Sequence, residues 1–242
     1  MNSDLRSAKP IPARDRLIVA LDVAAPDQAR ALVATLGDAV TFYKVGLELF
    51  MHPGCFELVE WLVRQGKQVF VDLKFFDVPE TVRGAVRALR NRGVTFATVH
   101  GNQAILEAAG AEKGDVKILA VTVLTSLDRG DLDDLGFQCD VAELVLSRAR
   151  RALAAGCDGV ISSGLEAPML RRELGERILV VTPGIRPVEN RPADDQKRTV
   201  DVAQAFANGA DYIVVGRPIR TAPDPRAAAQ AMQATIEAIF PG

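Results

Sequence analysis

The chain has 242 residues, of which 48% are hydrophobic and 25% are charged. This composition supports a large buried core and excludes a disordered tail or a membrane protein. The 29 basic and 31 acidic residues nearly cancel, which excludes a general electrostatic attraction to nucleic acid or anionic lipid. Any anionic ligand must therefore be bound by local groups.

The first 16 residues contain several charges and two prolines, and they lack the apolar stretch of a signal peptide. We expect residues 1–16 to form a short, loosely held arm. The three cysteines, Cys55, Cys139 and Cys157, are far apart in sequence, as is typical of free thiols in a reducing cytosol. Since no apolar run approaches the length of a membrane helix, we expect a soluble cytoplasmic protein.

Short apolar segments rich in β-branched residues alternate with longer helical patterns about eight times along the chain. The predicted strands are Leu17–Leu21, Val40–Val45, Gln68–Leu73, Phe96–Val99, Val116–Val121, Gly159–Ser162, Ile178–Val181 and Tyr212–Val215. The predicted helices are Asp27–Leu36, Phe56–Gln65, Glu80–Asn91, Gln103–Ala111, Val141–Ala155, Ala167–Leu174, Thr199–Ala207 and Arg226–Phe240. The strands are almost continuously apolar, as parallel strands buried on both faces should be.

This alternation predicts an α/β fold, a single (β/α)8 TIM barrel over residues 17–242, because no linker interrupts it. An open, doubly wound sheet is the alternative. Such a sheet usually has a glycine-rich first turn, whereas the first turn here reads Leu-Asp-Val-Ala-Ala-Pro. The closed barrel is therefore the favoured architecture.

Charged residues follow several of the apolar strands, at the end where barrel enzymes bind their substrates. Strand one ends in Asp22, strand two reaches Lys44, and strand three ends with Asp72 and Lys74, followed by Asp77. Because side chains alternate along a strand, Asp72 and Lys74 should face the same side, opposite to Leu73. We therefore expect a group of alternating charges at the mouth of the barrel.

One interpretation of these charges is a structural ion-pair network that closes the barrel, because buried charges persist only when paired. The functional interpretation is a general acid. A lysine flanked by carboxylates stays protonated and can donate its proton. Four of these charges lie on two adjacent strands, Lys44 on strand two and Asp72, Lys74 and Asp77 at the end of strand three. They favour the second interpretation, with Lys74 as the proton donor.

The segments that follow the last two strands have the residues of a phosphate-binding site. Barrels often bind phosphate with the loops after strands seven and eight. Gly216 allows close approach of the backbone to an anion, Arg217 is a bidentate partner, and Pro218 can begin a short helix. The long loop from Thr182 to Lys197 is typical of a functional lid.

These motifs together resemble those of bacterial orotidine 5′-phosphate decarboxylases, over nearly the whole chain. The most specific segment, residues 72–81, reads DLKFFDVPET and is similar to the family signature D-x-K-x-x-D-I-P-x-T, with Val78 in place of the isoleucine. The other matching motifs, in the family's order, are Leu21-Asp22, Lys44-Val45-Gly46, Val123-Leu124-Thr125-Ser126, Thr182-Pro183-Gly184-Ile185-Arg186 and Val215-Gly216-Arg217-Pro218. The stretch from Arg186 to Gln196 is one residue longer than in the relatives.

The resemblance implies cofactor-independent decarboxylation of orotidine 5′-monophosphate to uridine 5′-monophosphate, the last step of pyrimidine synthesis. It implies that Lys74 protonates C6, that Asp72 lies by the departing carboxylate, and that Lys44 pairs with the aspartates. It also implies a homodimer in which Asp77 and Thr81 enter the partner's site. The implied substrate contacts are Asp22 for the ribose, Thr125 for the base, and Arg186, Gln196, Gly216 and Arg217 for the phosphate.

Two alternatives remain open from the sequence. A magnesium-dependent sugar-phosphate decarboxylase or aldol-type synthase shares an Asp-x-Lys-x-x-Asp strand, but there the aspartates bind metal and a further acidic ligand is usual near strand two. Lys44 at that place speaks against it. The second alternative is a barrel that only binds a nucleotide or a protein partner, and the complete set of charges speaks against that reading.

Overall fold

A computed structural model describes residues 5–186 and 198–241. Its eight parallel strands form a closed barrel in which each strand pairs with the next and β8 pairs with β1. The strands are β1 Leu17–Ala20, β2 Phe42–Gly46, β3 Gln68–Phe75, β4 Phe96–His100, β5 Lys117–Val121, β6 Gly159–Ile161, β7 Leu179–Thr182 and β8 Tyr212–Val215. The predicted TIM barrel is confirmed.

Helices follow the strands in the predicted alternation. They are α1 Pro26–Leu36, α2 Leu47–Phe50, α3 Cys55–Arg64, α4 Pro79–Leu89, α5 Gln103–Glu112, α6 Arg129–Asp134, α7 Val141–Ala154, α8 Ala167–Leu174, α9 Val202–Ala207, α10 Arg217–Arg220 and α11 Pro225–Ile239. Within the described ranges, every helix is too short or too polar to cross a bilayer.

Three helix assignments depart from the sequence analysis. The short helices α2 and α6 were not predicted, and α9 begins three residues later than expected. Asp128 and Asp131 form a capping box at the start of α6, in which each side chain accepts the other residue's backbone N–H. An aspartate in place of the usual glutamate concealed this start signal. Asp201, which caps α9, accounts for its later start.

The strands separate two apolar regions. Phe42, Phe70, Phe96 and Tyr212 fill the barrel interior, and their ring centroids lie 5.1–6.0 Å apart in tilted or edge-to-face contacts. A larger core lies between the outer face of the sheet and the helices, and Leu73 packs against it. The interior is therefore a filled floor rather than a pore, and ligands can enter only above it.

The N-terminal arm is bound to the opposite end of the barrel. Ser7 is buried and donates a hydrogen bond to Asp211, which directly precedes β8. Lys9 lies 3.2 Å from the same carboxylate and 2.7 Å from Glu176. The expectation of a loosely held arm is wrong for this stretch, because a buried carboxylate needs these donors.

Candidate active site

Alternation along the strands brings charged side chains into the barrel directly above the aromatic floor. Lys44 follows Phe42 by two residues, and Asp72 follows Phe70 by two, so each charge shares the inner face of its strand. All of these residues except Phe42 line one cavity of about 420 Å³. The volume lies in the usual range of small-molecule sites.

The charges form a continuous chain across β1, β2 and β3. Lys44 Nζ lies 3.0 Å from Asp22 Oδ1 and 3.5 Å from Asp72 Oδ2. Lys74 Nζ lies 3.0 Å from both oxygens of Asp72. A Cβ at Gly46 would lie 2.9 Å from Lys44 Nζ. Glycine at this place therefore leaves room for the Lys44–Asp22 pair.

This chain of charges keeps its buried members ionised. Burial opposes the charge on Asp72, but Lys44 and Lys74, with hydrogen bonds from Lys74 and Thr98, more than offset it and lower its pKa. Burial likewise opposes the charge on Lys44, yet Asp72 and Asp22 outweigh it and raise the pKa of Lys44. Only 11% of each of these two side chains is exposed, so solvent screens the interaction weakly.

Strand β3 is irregular where it carries the lysine. Its pairing with β4 passes from Val71 opposite Ala97 to Phe75 opposite Val99. Lys74 has φ 50°, in the left-handed region that residues other than glycine rarely adopt. Asp72 and Lys74 share a side, as predicted, but a bulge rather than plain alternation places the lysine.

Positive charge also lines the cavity after β7 and β8. Arg186 follows β7 and is buried, with one guanidinium N–H donated to the Ile185 carbonyl at 2.9 Å. Gly216 and Arg217 follow β8 and line the same cavity. The cavity thus combines the alternating acidic and basic side chains with arginine side chains that can bind an anion.

Of the remaining predicted site residues, one lines the cavity, two lie outside its lining and one is not described by the structure. Thr125 is buried and lines the cavity. Asp77 and Thr81 are exposed and lie outside the cavity lining, and Asp77 Oδ1 accepts a hydrogen bond from the Val78 N–H at 2.6 Å. Gln196 lies outside the described residues.

Three residues near the site were missed by sequence reasoning. Glu48 and Arg220 line the cavity from α2 and α10. Thr98 is fully buried beside Asp72. Strand parity could have identified Thr98, because it follows the interior Phe96 by two residues.

Among the residues that the structure describes, no three His, Cys, Asp or Glu side chains are grouped as a metal site. Ammonium groups instead occupy the positions next to the carboxylates of Asp22 and Asp72.

Residues 15–232 match the profile of the family described as orotidine 5′-phosphate decarboxylase / HUMPS. The chain belongs to this family. The orotidine 5′-phosphate decarboxylase of Methylococcus capsulatus is 71% identical over 234 residues, which are 97% of each chain. That of Xanthomonas campestris strain 8004 is 54% identical over 96% of each chain. The predicted family, and with it the carboxy-lyase class, is confirmed.

Two solved structures have the same fold. The crystal structure of orotidine 5′-phosphate decarboxylase from Lactobacillus acidophilus superposes with a TM-score of 0.80 at 37% identity, covering 92% of this chain and 99% of that one. An uncharacterized protein from Geobacillus kaustophilus gives a TM-score of 0.77 at 31% identity, covering 91% and 99%.

Proposed function

We propose that this chain removes carbon dioxide from orotidine 5′-monophosphate to give uridine 5′-monophosphate in pyrimidine synthesis, without a cofactor and with Lys74 as the proton donor to C6. The observation that carries the proposal is the row of ion pairs Asp22–Lys44–Asp72–Lys74, which lines one cavity together with Arg186 and Arg217. The high identity to named decarboxylases over the whole chain supports the same reaction.

The chemistry requires a fixed positive charge beside the reacting carbon. When the bond from C6 to the carboxylate breaks, carbon dioxide leaves and the electron pair remains on C6. The positive charge of Lys74 Nζ stabilises this carbanion, and the ammonium group then transfers a proton to C6. Water later returns a proton to the lysine. Lys74 lines the cavity and 39% of its side chain is exposed, so it can reach a ligand there.

The other charges serve to position Lys74 and the substrate. Asp72 holds the ammonium group of Lys74 and lies beside the departing carboxylate, while Lys44 keeps Asp72 ionised. Asp22, with 44% of its side chain exposed, is available to ribose hydroxyls, and Thr125 is available to the base. Arg186, Gly216, Arg217 and Gln196 would bind the phosphate, whose binding energy contributes to catalysis at the distant carbon.

We further propose a homodimer in which Asp77 and Thr81 enter the partner's site. Phe76 and Val78 flank Asp77 and are 65% and 63% exposed, so two large apolar side chains lie close together on the surface of this segment. A partner surface over this segment would cover them. A cytosolic location is consistent with the three cysteines, all of which are free.

The decarboxylation assay with orotidine 5′-monophosphate, followed by absorbance with and without a chelator, tests the proposal. We expect full activity in both conditions and a loss of at least about 10⁴-fold for Lys74→Ala, which removes both the general acid and the stabilising charge. Binding of uridine 5′-monophosphate should remain measurable in this variant.

Lys113→Ala is the matched control, because Lys113 also pairs with a carboxylate, Asp158 at 2.8 Å, but lies outside the cavity lining. It should retain activity. Inhibition by the chelator would refute cofactor independence, and a fully active Lys74→Ala variant would refute the role of Lys74.

A further inference from the structure

The bulge in β3 leaves one residue of β4 opposite three residues of its neighbour. Between the pairs Val71–Ala97 and Phe75–Val99, the segment 72–74 lies opposite Thr98 alone. In a regular ladder, backbone groups of the two strands would bond to each other here. The backbone of Lys74 must therefore form its hydrogen bonds with a different group.

The hydroxyl of Thr98 fulfils this requirement. It accepts a hydrogen bond from the backbone N–H of Lys74 at 2.9 Å and donates one to Asp72 Oδ1, also at 2.9 Å. Thr98 is 0% exposed and is absent from the cavity lining, so a ligand in the cavity would not touch it. One hydroxyl thus holds the backbone of one charged residue and the side chain of the other.

We propose that Thr98 is a positioning residue for the reaction, which sets the Asp72 carboxylate and the Lys74 ammonium group in their relative orientation. This inference rests on the proposed function.

Two physical features explain why Asp72 and Lys74 need a positioning residue. The left-handed backbone of Lys74 is strained and persists only where surrounding contacts enforce it. The Asp72 carboxylate can also rotate about its side-chain bonds, and a donor on Oδ1 restricts this rotation. Without the hydroxyl of Thr98, the backbone can relax toward an ordinary strand and move the ammonium group away from the reacting carbon.

Thr98→Val tests the proposal because valine keeps the shape of the side chain and removes both hydrogen bonds. We expect kcat for orotidine 5′-monophosphate to fall about 10- to 100-fold, since displacement by about 1 Å has this effect. KM and the affinity for uridine 5′-monophosphate, measured by calorimetry, should change little because the substrate contacts remain. Thr98→Ser keeps the hydroxyl and should retain most of kcat.

The matched control is Thr41→Val at the opposite end of the barrel. The Thr41 hydroxyl lies 2.9 Å from Asp15 Oδ1 and 3.0 Å from the Arg14 carbonyl oxygen, so it too joins a carboxylate and a backbone group. This variant should lose thermal stability like Thr98→Val and keep its kcat. If Thr98→Val does not fold, Thr98→Ser and Thr98→Ala, which differ by one oxygen atom, carry the same expectations.

A Thr98→Val enzyme with the kcat of the wild type would overturn the inference, as would a Thr98→Ser enzyme that is equally slow as Thr98→Val. An inactive wild-type protein would instead refute the proposed function itself. The two failures are therefore distinguishable.

Discussion

Asp72 is a buried carboxylate that stays charged because two ammonium groups and a hydroxyl surround it. Removing one partner of such a group leaves the others uncompensated in a region of low dielectric. The same residue therefore contributes to stability as well as to the chemistry, and its ionisation couples folding to pH.

We predict that Asp72→Asn lowers the free energy of unfolding by about 3 kcal/mol at neutral pH. Burial disfavours the charge, but Lys44, Lys74 and Thr98 lower the pKa of Asp72 below its ordinary value. A lowered pKa contributes stability that is complete above the unfolded pKa, about 3.9, and that is lost as pH falls through the lower folded value. Denaturant unfolding of both proteins across pH measures the difference.

The difference between wild type and Asp72→Asn should be constant near neutrality and should shrink in acid. Other ionisable groups are common to both proteins and cancel in the difference. A difference that stays constant through the acidic range would contradict the prediction.

At the scale of secondary-structure elements, the two ends of the barrel have different tasks. The carboxyl ends of the strands carry the cavity, while the other end carries Asp211, which is 0% exposed. Asp211 accepts hydrogen bonds from Ser7 in the arm, from Arg171 in α8 and from the backbone N–H of Val180 in β7. This carboxylate therefore connects the arm, a helix and a strand at the end remote from the cavity.

Asp211→Ala should destabilise the fold by about 3–5 kcal/mol, because the buried guanidinium of Arg171 loses its nearest carboxylate. Thermal unfolding measures this loss. The kcat of the folded protein should not change, since the cavity is at the other end.

The control for this prediction is Asp38→Ala. Asp38 also pairs with an arginine, Arg226, but its side chain is 86% exposed, so solvent screening makes the pair weak and the loss much smaller. Equal losses for the two variants would show that Asp211 does not stabilise the barrel through its buried pair.

At the scale of the whole molecule, the described chain leaves Asp77 and Thr81 outside the cavity lining, although they belong to the same motif as Asp72 and Lys74. A homodimer with crossed segments would bring them to the partner's cavity. The proposed assembly therefore predicts that each site contains residues from two chains.

Mixing subunits tests this prediction. We expect Lys74→Ala and Asp77→Asn to be nearly inactive alone. In an equal mixture that has exchanged subunits, half of the dimers are mixed, and one of the two sites in each mixed dimer contains both Lys74 and Asp77. About a quarter of all sites should therefore recover activity. The assay is decarboxylation after refolding or slow exchange.

The control mixture combines Lys74→Ala with the double variant Lys74→Ala/Asp77→Asn, in which no site has its lysine. It should remain inactive. Failure of the first mixture to exceed the control, with mixed dimers demonstrated, would contradict the shared site.

The eight strands and the main helices could be predicted from the sequence, because the spacing of apolar residues along the chain distinguishes a helix from a strand. The common side of Asp72 and Lys74 was also predicted from alternation, although a bulge in β3 sets where the lysine lies. The short helix α6 was missed because its capping signal uses an unusual acidic residue. These properties are local along the chain, so the amino-acid order determines them.

The left-handed backbone of Lys74 and the hydrogen bonds of the hydroxyl that supports it were decided by the tertiary structure alone. Thr98 lies 24 residues from Lys74 in sequence, and only the register between β3 and β4 brings them into contact. Register depends on how all the strands pack together around the aromatic floor. Local sequence therefore determines the parts of the site, and long-range packing determines their geometry.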